Sequence, residues 1–178
     1  MNKLTAKDIR IERLTKDFDL TNFISYEKEL VAFLKEDALD NQEKMISVTY
    51  LWLINETNEL CGYLTLLNDK INLEGDLKEI FKNKGILYKS LPALKIGRLC
   101  VDDRFLRRDL GTLMVLFAIQ KAKEIYLEKS GCRFITLDAK RNKDISRDSI
   151  HFYKYSNFNI LKERNKGATP MFLDLFNK

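Results

Sequence analysis

Breakers and redox-active residues are scarce in this 178-residue chain, which has 2 Pro, 7 Gly, 3 Cys and 1 His. So few prolines and glycines leave little room for long flexible linkers, and no low-complexity tract or internal repeat occurs. Cys61, Cys100 and Cys132 are odd in number, scattered and never in a metal-type pair. No metal site is therefore expected, and the thiols read as structural ones in a reducing cytoplasm. No apolar run approaches the roughly 20 residues that cross a bilayer. The polar stretch from Met1 to Arg10 offers no signal-peptide core, so no membrane partner is expected.

What remains is enough to fold. The chain is 45% hydrophobic and 32% charged, so it can bury a core and keep a solvated surface. Its length suits one domain, and a single domain over residues 1–178 is expected. The 31 basic residues against 26 acidic ones give a formal charge of +5. That excess favours an anionic ligand such as a nucleotide cofactor or RNA, and is equally compatible with a slightly basic surface.

Residues Asp8–Leu14 alternate as a strand, and Phe23–Leu39 carries apolar residues at helical spacing, a helix or helix pair. Met45–Ile54 and Leu60–Leu67 read as a hairpin around the polar Asn55–Glu59. A short helix is expected within the lysine-rich stretch Asn72–Ser90. Ala93–Val101 reads as a strand and Leu110–Leu127 as a strong helix. Arg133–Leu137 is a strand and Ser146–Tyr155 a short helix, with closing strands over Phe158–Lys162 and Pro170–Phe176. Strands before and after helices predict an α/β (α+β) fold, a mixed sheet with helices packed on it.

The most informative stretch is Gly97-Arg98-Leu99-Cys100-Val101, the charged loop Asp102–Asp109, then Leu110-Gly111-Thr112. A strand ends, a basic loop follows and a long helix opens. The first turn of a helix has backbone N–H groups without internal partners, at the positive end of its dipole, so it can hold a phosphate. Gly111 permits close approach, and Arg107 and Arg108 add charge. An ordinary strand-to-helix connection with solvated arginines would read the same.

The segment also resembles the acyl-CoA signature of the GNAT acetyltransferases, in which Arg or Gln is followed by two residues, Gly, one residue, and Gly or Ala. Arg108 and Gly111 match it; Leu113 stands where Gly or Ala is usual, and Asp109 where glycine is common. The resemblance implies the GNAT fold, a central, mostly antiparallel mixed sheet flanked by helices, with acetyl-CoA as co-substrate. It implies that the amides of Arg107, Arg108, Asp109, Leu110, Gly111 and Thr112 hold the CoA pyrophosphate. Leu99, Cys100 and Val101 would pair with the pantetheine arm like an added strand and polarise the thioester carbonyl.

A second stretch, Ser146 to Phe158 (SRDSIHFYKYSNF), resembles the family's later helix carrying Phe-Tyr. Tyr153 falls on the tyrosine that protonates the leaving CoA thiolate in many members. Ser146, Ser149, Phe152 and Lys154 flank it as further cofactor-binding candidates. His151 lies two residues from Tyr153, so on a helix the two side chains diverge, and a surface or packing role is expected. Asp138 reads as a strand-end residue bordering the cleft.

The resemblance covers nearly the whole chain. With Leu91–Asp102, Gly62–Leu66 and Leu137–Lys140, it looks like the branch containing toxins of type II toxin–antitoxin systems. That branch implies an N-acetyltransferase acting by direct attack on the α-amine of aminoacyl-tRNA, and a ribbon–helix–helix antitoxin as partner; a homodimer is compatible. An α-amine, with pKa of about 7.7–8.0, is partly neutral at pH 7 and needs little general-base help. Lys78, Lys82, Lys84, Lys89, Arg104 and Arg107 are candidates for the RNA backbone, or a solvated charged face. A small-molecule or protein amine acceptor stays open, as does a degenerate acyl-CoA-binding regulatory module.

Overall fold

The computed structural model describes residues 3–142, 148–164 and 166–176. The chain divides into two compact units, one of residues 1–67 and 96–118 and one of residues 68–95 and 119–178.

In the first unit the hydrogen-bonded strand order is β1 (Ile9–Arg13), β2 (Val48–Ile54), β3 (from Leu60) and β4 (to Val101). β1 and β2 pair antiparallel from Ile9↔Ile54 to Arg13↔Tyr50, and β2 pairs antiparallel with β3, with an irregularity at Trp52/Leu53. β2 is buried on both faces, which explains its near-continuous apolar sequence. On one face Tyr50 and Trp52 meet Phe117 edge-on at 5.0 and 5.1 Å. On the other, Leu51 and Leu53 join Leu14, Phe23, Leu34, Tyr63 and Cys100 in a core cluster.

The helical run covering that cluster starts at Lys28, not Phe23, and continues to Glu43: α1 (Lys28–Ala32), a π-helical turn (Phe33–Asp37) and α2 (Ala38–Glu43). Its far end is extended by Gln42, whose Nε2 donates to the Leu14 carbonyl (2.8 Å) and whose Oε1 accepts from the Thr49 amide (3.1 Å). One amide side chain thus ties α2 to β2 and to the residue that follows β1. The long helix α4 (Leu110–Glu128) buries Leu110, Met114, Ala118 and Ala122, a stripe at four-residue spacing. A Cβ on Gly62 of β3 would lie 2.2 Å from Met114 Cε and 2.9 Å from the Cys100 carbonyl oxygen, so only glycine admits this approach.

In the second unit the order is β3 (to Asn72), β4 (from Ser90), β5 (Phe134–Ala139), β7 (Thr169–Asp174) and β6 (Asn159–Ile160). β3 outruns the expected Leu67 because Ile71 is buried and Asp69 accepts a hydrogen bond from Thr136 Oγ1 at 2.6 Å. α3 (Gly75–Asn83) drops Phe81 against Phe134, which in turn meets Phe172. β5 and β7 pair antiparallel from Phe134↔Asp174 to Ala139↔Thr169. β6 is only two residues long, against five expected. Pro170 opposite it has no N–H, so it accepts from Leu161 and the ladder stops. α5 (Ser149–Tyr155) begins at an Asp148 cap, whose carboxylate accepts from the Ile150 amide at 3.0 Å.

The three thiols are buried and unpaired. Burial pushes the Cys61 thiol up to about 12 and Cys100 up to about 11. In the unfolded chain such thiols titrate near ~8.5. Their contribution is fully present below that pH. Above it the unfolded chain releases protons that the folded chain keeps, so stability falls as pH rises toward 11. The expected slope is about 1.4 kcal/mol per pH unit for each thiol. Urea midpoints measured from pH 7 to 10.5 should hold steady to about pH 8.5 and then drop; a flat series contradicts this account.

Candidate active site

β4 ends at Val101, and the next residue, Asp102, is 0% exposed. Its carboxylate accepts from Arg104 Nε at 2.8 Å and Nη2 at 3.0 Å, and from the amides of Ile24 and Arg104, each at 3.0 Å. Desolvation pushes this acid up, but the bonds from Arg104 and the two amides outweigh it and hold Asp102 below the usual carboxylate range. The Asp103 amide donates to the Ile24 carbonyl at 3.1 Å, so the segment before α1 is fastened to the end of β4.

The chain then enters an unusual backbone. Arg107 has φ of 60° and Asp109 φ of 64°, with Arg108 between them. Left-handed geometry is uncommon outside glycine, and alternation of this kind turns successive N–H groups toward one concave side, where an anion fits. Leu113 is the first residue of α4 whose amide reaches its carbonyl four residues back, on Asp109, at 3.1 Å. The amides of Leu110, Gly111 and Thr112 thus precede the helical ladder. Arg108 stacks over Phe105 at 5.3 Å, and its buried Nε–H has no partner among the described residues. An unsatisfied donor beside free amides fits a diphosphate.

The carboxylate at Asp109, a liability beside a phosphate, is engaged by Lys3 Nζ at 2.7 Å, and the Leu4 amide donates to the Arg108 carbonyl. Position 109 favours glycine because of its φ, and aspartate is among the residues that tolerate it. Asp109→Gly should tighten acetyl-CoA binding about three- to tenfold by removing a negative charge. Folding stability should stay within about 1 kcal/mol, since relief of the left-handed strain offsets an exposed ion pair. Calorimetry and a urea titration check both; weaker binding would show that the carboxylate shapes the loop.

Leu99 and Val101 on β4 are half-buried, and Cys100 is buried. Arg107, Asp109 and Thr112 are exposed. The second helix candidate also forms. Tyr153 lies on α5, its ring held edge-on by Phe152 at 5.0 Å and Phe158 at 5.5 Å. Burial raises its phenol well above the ordinary value, so it stays protonated at neutral pH. Among the described residues its hydroxyl has no hydrogen-bond partner. α5 stops at Asn157, φ 65°, whose amide returns to the Lys154 carbonyl. The Ser149 hydroxyl donates to the Lys140 carbonyl at 2.6 Å; Lys154 and His151 are exposed; Ser146 lies outside the described residues. Asp138 pairs with Lys95 at 2.7 Å.

Of the basic candidates, Lys78, Lys82, Lys84 and Lys89 are exposed on and after α3. Arg104 is committed to Asp102 and Glu59. A cavity of about 550 Å³ in the first unit, walled in part by Arg10, Asp17, Leu53, Glu59 and Arg104, contains none of the cofactor candidates.

A strand that runs into left-handed turns and a helix opening rich in free amides is an arrangement that suits a phosphate-bearing ligand. The chain belongs to the Acetyltransferase (GNAT) family, whose model matches residues 11–158. It is an acetyl-CoA-dependent N-acetyltransferase with the GNAT fold, as the sequence resemblance implied. No curated protein matches the chain in sequence. Among solved structures it is similar to AtaTR bound with AcCoA (27% identity, 95% of each chain covered, TM-score 0.75). It is also similar to AtaT complexed with acetyl-methionyl-tRNAfMet (24%, 94% of this chain and 95% of that one, 0.76). A third similar structure is a tyrosine-to-phenylalanine mutant of KacT (22%, 94% and 95%, 0.78). Among the described residues no helix is long and apolar enough to cross a membrane.

Proposed function

We propose that the protein acetylates the α-amine of aminoacyl-tRNA, as one catalytic domain over residues 1–178, in the manner of GNAT-type toxins. The observation that carries the cofactor half of this reading is the pair of left-handed residues, Arg107 and Asp109, opening α4. The amides of Leu110, Gly111 and Thr112, with Arg107 and Arg108, hold the CoA pyrophosphate. Leu99, Cys100 and Val101 receive the pantetheine arm along β4. Ser149, Phe152 and Lys154 border the cofactor. The acceptor half is supported by the similarity to AtaT, which is described with acetyl-methionyl-tRNAfMet.

Acetyl-CoA supplies an acyl group activated as a thioester. The neutral amine attacks the carbonyl directly, with β4 amides polarising its oxygen, and CoA leaves as a thiol. Tyr153 gives the leaving sulfur its proton, the acylated nitrogen sheds its extra proton to solvent, and the phenolate takes one back, so the phenol is restored for the next turnover. Tyrosine-to-phenylalanine mutants exist as structures for both KacT and the AtaT toxin, which supports this role. An antitoxin is the expected partner, since the AtaT toxin is described bound to the C-terminus of AtaR. We assign that partner to the ribbon–helix–helix type, place the protein in the cytoplasm with its tRNA substrate, and allow for a homodimer.

The test is incubation with labelled acetyl-CoA and a mixture of charged tRNAs, peptides and polyamines, followed by mass spectrometry. Acetylated aminoacyl-tRNA is expected. Turnover on peptides or polyamines with none on charged tRNA would replace this acceptor, and absence of acetyl-CoA binding at millimolar concentration would remove the cofactor assignment.

A further inference from the structure

Arg98 sits on β4 one residue before Leu99, and it is exposed. No carboxylate pairs with it among the described residues. An exposed arginine of this kind would ordinarily wander, yet this one is fixed. Its guanidinium lies over the Phe33 ring at 4.9 Å, and Nη1 donates to the Gly97 carbonyl at 2.7 Å. Phe33 in turn stacks on Tyr63 with centroids 6.3 Å apart and planes at 19°. Tyr63 is 0% exposed, and its hydroxyl donates to the Leu30 carbonyl at 2.7 Å.

The ladder Tyr63–Phe33–Arg98 depends on a local irregularity. Phe33 opens the π-helical turn, and its carbonyl accepts from Ala38, five residues on. Such turns are rare and widen a helix locally, frequently at functional sites. Here the wide turn delivers an aromatic ring from the helical layer to a strand residue beside the proposed thioester position.

A guanidinium has five donors, of which one is used internally. The others form a fork suited to a planar or tetrahedral oxyanion, and stacking removes much of the rotamer freedom that binding would otherwise have to freeze. We infer that Arg98, held flat by Phe33 and Tyr63, binds a phosphodiester of the acceptor's 3′-terminal nucleotides and so sets where the esterified α-amine falls. The inference rests on charged tRNA being the acceptor. An amino acid on the terminal ribose shares that nucleotide with a phosphate, so one anchored phosphate fixes the amine relative to β4. Arg98 is thus a specificity residue and takes no part in proton transfer.

The test compares wild type, Arg98→Ala, Arg98→Lys and Phe33→Leu on three acceptors: charged tRNA, an aminoacylated CCA trinucleotide and aminoacyl-adenosine, which has the base but no phosphate. Arg98→Ala should raise KM for the first two about 10- to 100-fold, with kcat changed much less. That loss should exceed the loss on aminoacyl-adenosine at least about tenfold. Arg98→Lys keeps charge but not the fork, so it and Phe33→Leu should fall between. Equal losses on all three acceptors would overturn the inference, as would acetyl-CoA binding weakened by the same factor, which would assign Arg98 to CoA. If wild type acetylates no charged tRNA or trinucleotide, the acceptor reading itself fails, and this inference with it.

Discussion

Tyr153→Phe is expected to lower kcat about 10²- to 10³-fold while leaving the acetyl-CoA dissociation constant within about twofold. The ring keeps its contacts with Phe152 and Phe158, so thermal stability should hardly move. Only the proton is lost. Burial raises the Tyr153 phenol and so weakens it as an acid, which at first opposes the role. A leaving thiolate shielded from water would also be disfavoured, which favours proton transfer to it.

The pH profile follows from that pair of shifts. Rate rises with pH as the acceptor amine, near ~7.7–8.0, loses its proton. Because the phenol is raised, no falling limb from Tyr153 appears below about pH 10. The Phe variant should run parallel at a lower level. A variant within threefold of wild type in kcat would remove Tyr153 from the acid role, and a fall in rate between pH 8 and 9 would assign another acid.

Sequence alone located the main elements, because hydrophobic period and breaker residues act over short range. It located less of the geometry that makes a site. Nothing in Arg107 announces positive φ, and at Asp109 the one signal is that the resembled family commonly has glycine there. The loop could be marked as basic and the helix opening as anion-binding, while the turn aligning its amides stayed invisible. The π-helical turn at Phe33 is likewise silent, because five-residue and four-residue bonding use the same side chains. Gln42 extends the helix past the expected Leu39 through contacts with residues 28 and 7 positions away. Pro170 was legible and underused: a proline facing a strand shortens it. Arg104 is taken from the RNA candidates by its ion pair with Asp102, two residues earlier, which the charge pattern of the loop does not single out. A carboxylate directly after an apolar strand, with arginine two positions on, is the signal that would have found it.

That carboxylate carries the second large effect. Asp102→Ala should cost about 2–3 kcal/mol of folding stability, because it removes the shared acceptor of a cluster of donors at a buried position. Four N–H donors lose their acceptor at once: Nε and Nη2 of the Arg104 side chain and the amides of Arg104 and Ile24. Arg104 is 39% exposed and keeps Glu59, so its charge is not stranded; the Ile24 amide carries more of the penalty. Asp102→Asn retains shape and one acceptor oxygen and should lose about half as much. Acid has the same effect as the Ala variant. Asp102 is held below its unfolded value, so its contribution is complete above about pH 4 and disappears as pH falls through the folded value. Urea midpoints of wild type and Asp102→Ala should therefore converge as pH is lowered from 5 to 2. Midpoints that differ by the same amount across that range would mean the carboxylate's charge is irrelevant, and that Asp102 serves only to fill its place between β4 and Ile24.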